Sequence, residues 1–172
     1  MIESLLLAAA LQAEPDHLGQ PISSDETILT QTSEVNFKKP HKGAFSGIII
    51  DAAKVPKKHR AFSECVLDRE SGGNLENTNS GEGAKNPRSS ASGRWQFLDS
   101  QWREGLSHMV AGRLKDHGMP GQHAKSVRVY LEAKPISKWD GLWQDIGHNA
   151  VMAAGGWHHW KYGDKCDGKR AR

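Results

Sequence analysis

One carboxylate in the sequence, Glu70, has the surroundings that proton-transfer chemistry needs. It falls at intervals of four after Phe62 and Val66, so these three side chains share one face of a predicted helix. Gly72 and Gly73 follow and predict where that helix ends. An apolar wall and the negative end of a helix dipole both favour the neutral form of a carboxyl group, which can then act as a general acid. Spacing alone does not separate this role from that of a solvated glutamate, the usual state of this residue type.

The helix that carries Glu70 is the first of four that the sequence predicts. Pro56 suits its first turn, because the φ angle of proline matches a helix start. The second helix has Asp99 or Ser100 as its cap, and an apolar stripe indicates which side faces the core. Glycines and prolines separate the later helices, which are predicted over residues 99–117, 122–133 and 137–154.

The segments outside these helices differ in composition. Residues 74–93 are rich in Asn, Ser, Gly and Pro and predict a long polar loop or a small β-hairpin. Residues 1–54 predict an extended or disordered N-terminal arm, with a possible docking helix at 2–13 and a short strand or apolar plug at Ile48–Ile50. We therefore predict a mainly α fold (α+β, with an irregular or hairpin insertion) over 55–166, followed by a basic tail over 167–172.

Composition limits the classes of partner and cofactor. The net charge of +3 suits an anionic partner, but the positive residues are too scattered to indicate nucleic-acid binding. No apolar run is long enough to span a membrane, and the apolar block near the N-terminus lacks the preceding basic residues of a secretion signal. Nine histidines show no metal-binding spacing, so we expect neither a metal nor another cofactor. The six tryptophans are expected mainly in the core.

Three blocks of sequence, in order, carry a resemblance to a known family. They are RESGGN at Arg69–Asn74, SASGRWQFLDSQW at Ser90–Trp102, and GGWHHW at Gly155–Trp160 followed by Cys166. Together they resemble the lysozyme-like transglycosylase superfamily, and most of all its resuscitation-promoting-factor branch and the lysozyme-like domains carried by phage. The resemblance covers roughly residues 58–166 and implies a lysozyme-like catalytic domain.

The resemblance also implies roles for individual residues. Glu70 matches the family's general acid, and Gln96 matches a glutamine that hydrogen-bonds sugar in the cleft. Gly93 matches a glycine where the backbone approaches substrate, and Trp95, in the variable position between Gly93 and Gln96, is predicted with them as a substrate contact. Ser71 matches the serine that helps to orient the acid or a neighbouring strand. Two other interpretations stay open, since Gln96 suits a surface amide and Trp95 suits a core residue of a short strand.

One departure from the family concerns a disulfide. In the resuscitation-promoting-factor branch a cysteine commonly precedes the catalytic glutamate and pairs with a C-terminal cysteine. Here Arg69 occupies that place, and Cys65 lies one helical turn earlier on the same face. The resemblance therefore implies a Cys65–Cys166 bridge displaced by a turn, and with it a protein that functions outside a reducing cytosol.

A second departure concerns the partner acid that a hydrolytic lysozyme places across the cleft. The candidates are Glu82 and Glu76 in the polar loop, with Asp99 less favoured because it suits a helix cap. None lies in a recognisable motif, which favours a single essential glutamate. Lytic transglycosylases use one such acid, because the 6-hydroxyl of the sugar attacks and leaves a 1,6-anhydro product.

The resemblance thus predicts an enzyme that cleaves the β-1,4 bond between N-acetylmuramic acid and N-acetylglucosamine in peptidoglycan glycan strands. We expect it at the cell wall outside the cytoplasm, either packaged in a phage virion or secreted. The N-terminal arm motivates an alternative, a virion structural or assembly component whose lysozyme-like domain is not catalytic. For a virion-borne protein, the arm is the predicted contact with virion structural proteins.

Overall fold

The computed structural model describes residues 35–160, 165–166 and 169, and the predicted docking helix and most of the predicted tail lie outside these residues. Helical segments dominate this part of the chain. The α-helices and strands are α1 (Ser46–Ala53), α2 (Arg60–Ser71), β1 (Ala91–Ser92), β2 (Phe97–Leu98), α3 (Asp99–Asp116), α4 (Gly121–Glu132) and α5 (Gly141–Ala153). Short 3₁₀ turns occupy Pro40–Lys42, Lys57–His59, Ile136–Lys138 and Gly156–Trp160. The predicted fold class, mainly α with a small β insertion, is confirmed.

Helix α1 is the main difference from the predicted elements. A strand over Ile48–Ile50 is wrong, because this segment is helical and buries Ile49 completely. The Nδ2 atom of Asn149 in α5 donates to the carbonyl oxygens of Ala52 and Lys54, at 3.2 and 3.1 Å. These bonds satisfy carbonyl groups that a helix C-terminus leaves open. The described part of the predicted arm is therefore packed on α5.

Helix α2 follows the predicted pattern. Its apolar face buries Phe62 and Val66 completely, and Leu67 beside them is buried as well. The helix ends at Ser71 and is capped by Gly72, whose φ of 65° is the left-handed conformation that glycine adopts without steric cost. It begins at Arg60 rather than near Pro56, because a 3₁₀ turn fills the intervening residues.

Helix α5 is the centre of the core. Eleven of its thirteen residues are buried, and the Asp140 side chain caps its N-terminus by accepting from the Leu142 amide at 3.0 Å. Helices α3 and α4 pack beside it with the stripes that the sequence predicts, burying Leu106, Val110, Leu114, Ala124, Val127 and Leu131. Four of the six tryptophans are buried and two are partly buried, as the core interpretation expects.

The β insertion is one short antiparallel hairpin. Ala91 pairs with Leu98 and Ser92 pairs with Phe97, and the turn between them spans Gly93–Gln96. The hairpin thus lies at the end of the predicted polar loop and extends past it. Residues before it form successive turns, with an isolated bridge from Lys85 to Ser92.

A disulfide joins α2 to the C-terminal segment. Cys65 and Cys166 are bonded, with their Cα atoms 5.7 Å apart and a sequence separation of 101 residues. The pairing that the family resemblance implied is confirmed. Among the described residues, no helix is both long and apolar enough to cross a membrane.

Candidate active site

Glu70 lies in the last turn of α2, and its side chain is 24% exposed. The neighbouring Arg69 guanidinium donates to Oε1 of Glu70 from Nη2 at 2.6 Å and from Nε at 3.1 Å. Two bonds from one guanidinium hold the carboxylate in a defined orientation. A carboxyl group in this position is accessible to a ligand and restricted in its motion.

Arg69 also links Glu70 to the C-terminal block of sequence. Its Nη2 donates to the carbonyl oxygen of Trp160 at 2.8 Å. The indole Nε1 of Trp160 in turn donates to the carbonyl oxygen of Trp95 at 2.9 Å. Three segments that are far apart in sequence, at residues 69–70, 95–96 and 160, therefore lie within two hydrogen bonds of one another.

The turn Gly93–Gln96 has an unusual backbone. Gln96 has a positive φ of 52°, which residues other than glycine rarely adopt. The backbone N–H and the side-chain Nε2 of Gln96 both donate to the Gly93 carbonyl. Gly93 has a φ of 79°, and a Cβ atom there would lie 2.2 Å from Oε1 of Gln144. The glycine is thus required by contact with α5. Gln96 remains partly exposed, as a sugar-binding amide requires.

Trp95 does not fit its predicted role as a substrate contact. Its side chain has no exposed surface, and its Nε1 donates to Oδ1 of Asp145 at 2.9 Å. Its ring stacks on His148, with centroids 3.5 Å apart and planes 6° apart. The core interpretation considered from the sequence is the one that the structure supports for this residue.

Ser71 contacts the loop rather than the acid. Its Oγ donates to the Leu67 carbonyl at 3.2 Å, within its own helix. A Cβ atom at Gly81 would lie 2.3 Å from this Oγ, so the loop backbone approaches α2 closely at a position that only glycine allows. The polar loop therefore packs against Ser71, the residue after Glu70.

Arg94, a buried arginine that the sequence did not predict as a site residue, hydrogen-bonds the same loop. Arg94 is fully buried and pairs with Asp145 of α5 through Nε at 2.8 Å. Its remaining donors bond the carbonyl oxygens of Asn77 at 2.8 Å, Asn74 at 3.0 Å and Ser80. Burial raises the pKa of Asp145 to about 6, against the opposing attraction of Arg94. At neutral pH the pair is therefore ionic, and it fastens the loop to the core.

A second buried polar contact joins α5 to α2. His148 is fully buried, and its Nε2 shares a hydrogen bond of 2.9 Å with Oγ of Ser63 in α2. Burial lowers the pKa of His148 well below its usual value, and the positive charges of His59 and Arg94 add to this effect. The imidazole is thus neutral and supports the Trp95 ring that it stacks on.

The candidate second acids all have structural partners. Glu76 is exposed and pairs with Arg60, ten residues before Glu70, which corresponds to roughly 15 Å along α2. Oε2 of Glu82 accepts from the Gly141 amide at 2.9 Å, at the N-terminus of α5. Oδ1 of Asp99 accepts from the Ile136 amide at 2.6 Å instead of capping its own helix. In the described residues, none of the three is hydrogen-bonded or ion-paired to Glu70.

No protein-family model, curated protein or solved structure matches this chain. Within the described ranges, no group of three or more His, Cys, Asp or Glu side chains is arranged to hold a metal ion.

Proposed function

We propose that this chain cleaves the β-1,4 bond between N-acetylmuramic acid and N-acetylglucosamine in peptidoglycan, with Glu70 as the general acid. The observation that carries the proposal is the convergence around Glu70. The acid is partly exposed at a helix end, and Arg69 and Trp160 connect it to the turn that presents Gln96. Distant segments that resemble one family's site and meet in space support that family's chemistry.

The proposed step is acid catalysis at the glycosidic oxygen. The bond between the sugar C1 and the leaving O4 breaks while Glu70 gives its proton to O4. Because the Arg69 guanidinium donates two hydrogen bonds to Oε1 of Glu70, we propose that these bonds break when substrate binds and that Glu70, protonated at Oε2, then gives its proton to O4. The partly exposed Gln96 amide supplies hydrogen bonds that orient the sugar beside the acid.

We propose that no second protein carboxylate takes part. Glu76 and Glu82 are engaged elsewhere, which supports the one-acid reaction of a lytic transglycosylase. The sugar's 6-hydroxyl forms the new bond to C1 and returns its proton to Glu70. The products are then a 1,6-anhydro end and a free 4-hydroxyl, with the acid regenerated.

We further propose that the enzyme functions at the cell wall, outside a reducing cytosol. The Cys65–Cys166 disulfide supports this, since such bonds persist in oxidising surroundings. Delivery on a phage particle and secretion both remain predictions. The alternative, a structural virion component without activity, also remains one, and the activity of the unaltered protein separates it from the enzyme.

The test is digestion of purified peptidoglycan by the full chain and by Glu70→Gln. We expect wall clearing by the unaltered protein and a loss of at least about 100-fold in the variant, because general-acid catalysis contributes that much. Glu64→Gln is the matched control, since Glu64 lies on the same helix and is exposed. Mass spectrometry of the products reports anhydro ends. No clearing on any wall type, or clearing by Glu70→Gln at the normal rate, would contradict the proposal.

A further inference from the structure

The groove between helices α3 and α4 has a cationic lining. Its cavity has a volume of about 310 Å³, and the charged side chains around it are Lys115 of α3 and Lys125 and Arg128 of α4. None of the described residues that line this groove is acidic. Three other cavities in the described part of the chain each have at least one Asp or Glu in their lining. A concave surface with positive charge alone attracts an anionic ligand.

The two lysines carry most of the uncompensated charge of this groove. Both are exposed, and among the described residues neither forms an ion pair. Arg128 is partly neutralised, since its Nε lies 3.7 Å from Oε1 of Glu132. Its Nη1 donates to Nε2 of His108 in α3 at 3.0 Å, which holds the guanidinium between the two helices. Both ammonium groups and the other donors of Arg128 are therefore available to an anion.

Small residues form the floor of the groove. Gly112 lies within α3, and Gly121 and Ala124 contribute from α4. A Cβ atom at Gly112 would meet no atom within 4 Å, so helix packing does not require a glycine there. Glycine is less stable than alanine within a helix, and it suits places where the backbone leaves room for a ligand. Gly112 thus keeps the groove open between the cationic side chains.

The positions of the charges suit a linear polymer better than a single ion. Lys125 and Arg128 are three residues apart on α4 and are neighbours on one face, with Cβ atoms roughly 5–6 Å apart. Lys115 contributes from α3, on the other side of the groove. Positive charge along two walls matches a chain of anions that runs between them.

The lining also favours one kind of linear polyanion. The described lining residues include no Phe, Tyr or Trp, the rings on which proteins stack the bases of single-stranded nucleic acids. A phosphodiester chain without bases needs only the cationic walls. We propose that the α3–α4 groove binds a linear phosphodiester polymer of the cell wall, of the poly(glycerol phosphate) type. The choice of a wall polymer rests on the proposed function, whereas the anionic character of the ligand rests on the groove alone.

The residues of this groove differ from those of the proposed active site. They lie within 108–128, outside the blocks 69–74, 90–102 and 155–160 that surround Glu70. A polymer bound in the groove would hold the enzyme on the wall and leave Glu70 free to reach glycan strands. The groove is therefore a site for wall attachment, not for bond cleavage.

The first test measures binding of purified poly(glycerol phosphate), free of glycan, to the full chain by calorimetry. The double variant Lys115→Gln, Lys125→Gln should bind about 25-fold more weakly, about fivefold for each ammonium group removed. The slope of log K against log salt should become shallower by about 2, one unit for each lost contact. Lys57→Gln, Lys58→Gln is the matched control, because these exposed lysines carry the same charge outside the groove. An equal loss in both double variants, or no binding by the unaltered chain, overturns the inference.

A second pair of variants tests the groove without removing a lysine. Gly112→Glu places a carboxylate between the cationic walls and should weaken binding of the polymer by at least about fivefold. Its melting temperature should not fall, because the space there is open and glutamate is the better helix former. Gly105→Glu is the control, since Gly105 has the same open space two turns away on α3, about 10 Å along the axis. Its charge is screened at physiological salt, where the Debye length is about 8 Å. Equal weakening by the two substitutions would count against the groove and overturn the inference.

Single-stranded DNA and intact peptidoglycan complete the experiment. Tighter binding of the DNA than of the polymer, at the same salt concentration, overturns the inference. If the unaltered chain binds the polymer through the groove but cleaves no peptidoglycan, only the proposed function fails. If it cleaves peptidoglycan but does not bind the polymer, only this inference fails.

Discussion

At the scale of single residues, the most consequential group is the buried pair Arg94 and Asp145. It connects the loop that follows Glu70 to the central helix, through one carboxylate and three loop carbonyls. Nothing in the sequence marks Arg94 as buried, because arginine is normally exposed and here stands within a motif attributed to substrate binding. A buried charge is stable only while its partner is present.

We therefore expect Asp145→Asn to lower the free energy of unfolding by about 3 to 5 kcal/mol at pH 7.5, because it leaves the Arg94 charge uncompensated. Denaturant titration followed by circular dichroism measures this. Asp51→Asn is the control, since Asp51 pairs with Lys54 and His117 but is largely exposed, and its loss should leave stability unchanged. An equal effect of the two substitutions would contradict the argument.

His148 predicts how stability depends on pH. Its pKa in the folded protein is well below the unfolded value of 6.5, so below that pH the unfolded chain binds a proton that the folded chain does not. The contribution of His148 to the free energy of unfolding is therefore fully present well above pH 6.5. It is lost as pH falls below that value, by about 1.4 kcal/mol per pH unit. Denaturant titrations from pH 7.5 to 5.5 on the unaltered chain and on His148→Gln isolate the contribution. Parallel curves for the two proteins would exclude it.

At the scale of elements, the helices were predictable where apolar spacing is long and regular. The stripe Leu106, Val110 and Leu114 fixes α3, and the buried face of α4 follows the same periodicity. Helix α1 was not predictable, because eight residues hold only two turns, and three consecutive isoleucines suit a strand as well as a helix. What decides the outcome is burial of Ile49 against α5 and the cap from Asn149, and both are tertiary contacts.

Two adjacent isoleucines test whether α1 belongs to the core. Ile49 has no exposed surface, whereas Ile50 is 39% exposed. Ile49→Ala should lower the free energy of unfolding by about 2 to 5 kcal/mol, through lost burial and a residual cavity. Ile50→Ala should have a much smaller effect. Thermal and denaturant unfolding of both variants provides the comparison, and similar small losses would mean that α1 is an appendage.

Site residues were predictable to a different degree from the helices. Glu70 and Gln96 are partly exposed, as ligand contacts require, because the sequence blocks place them at a helix end and in a turn. Trp95 stands in the same block but points into the core, and alternation of side chains in so short a hairpin does not reveal which face is buried. Gly93 leaves room for the Gln144 side chain, and this contact joins two residues that are far apart in sequence, so the spacing of residues around Gly93 does not reveal it.

At the scale of the whole molecule, the Cys65–Cys166 bond closes a loop of about 100 residues that runs from the middle of α2 through α3, α4 and α5 to the C-terminal segment. We expect reduction to lower the free energy of unfolding by up to about 4 to 5 kcal/mol, since the unfolded chain gains conformational entropy when the bond that closes so long a loop is broken. Melting temperatures with and without reductant measure this. The double variant Cys65→Ser, Cys166→Ser should melt at the reduced value and ignore reductant. A reductant-insensitive unaltered chain would contradict the expectation.

The hydrogen bonds of Arg94 also affect the rate at which a ligand binds to the site. Three hydrogen bonds from one buried guanidinium hold the loop, and a fourth anchors that guanidinium to Asp145 of α5, so the loop does not open without breaking bonds to the core. We therefore expect free and occupied protein to share one loop conformation, without a gating motion before association. Capture of the proposed glycan substrate would then be limited by how often a strand meets the surface in the right orientation, and rigid sugar mimics would bind without a conformational penalty.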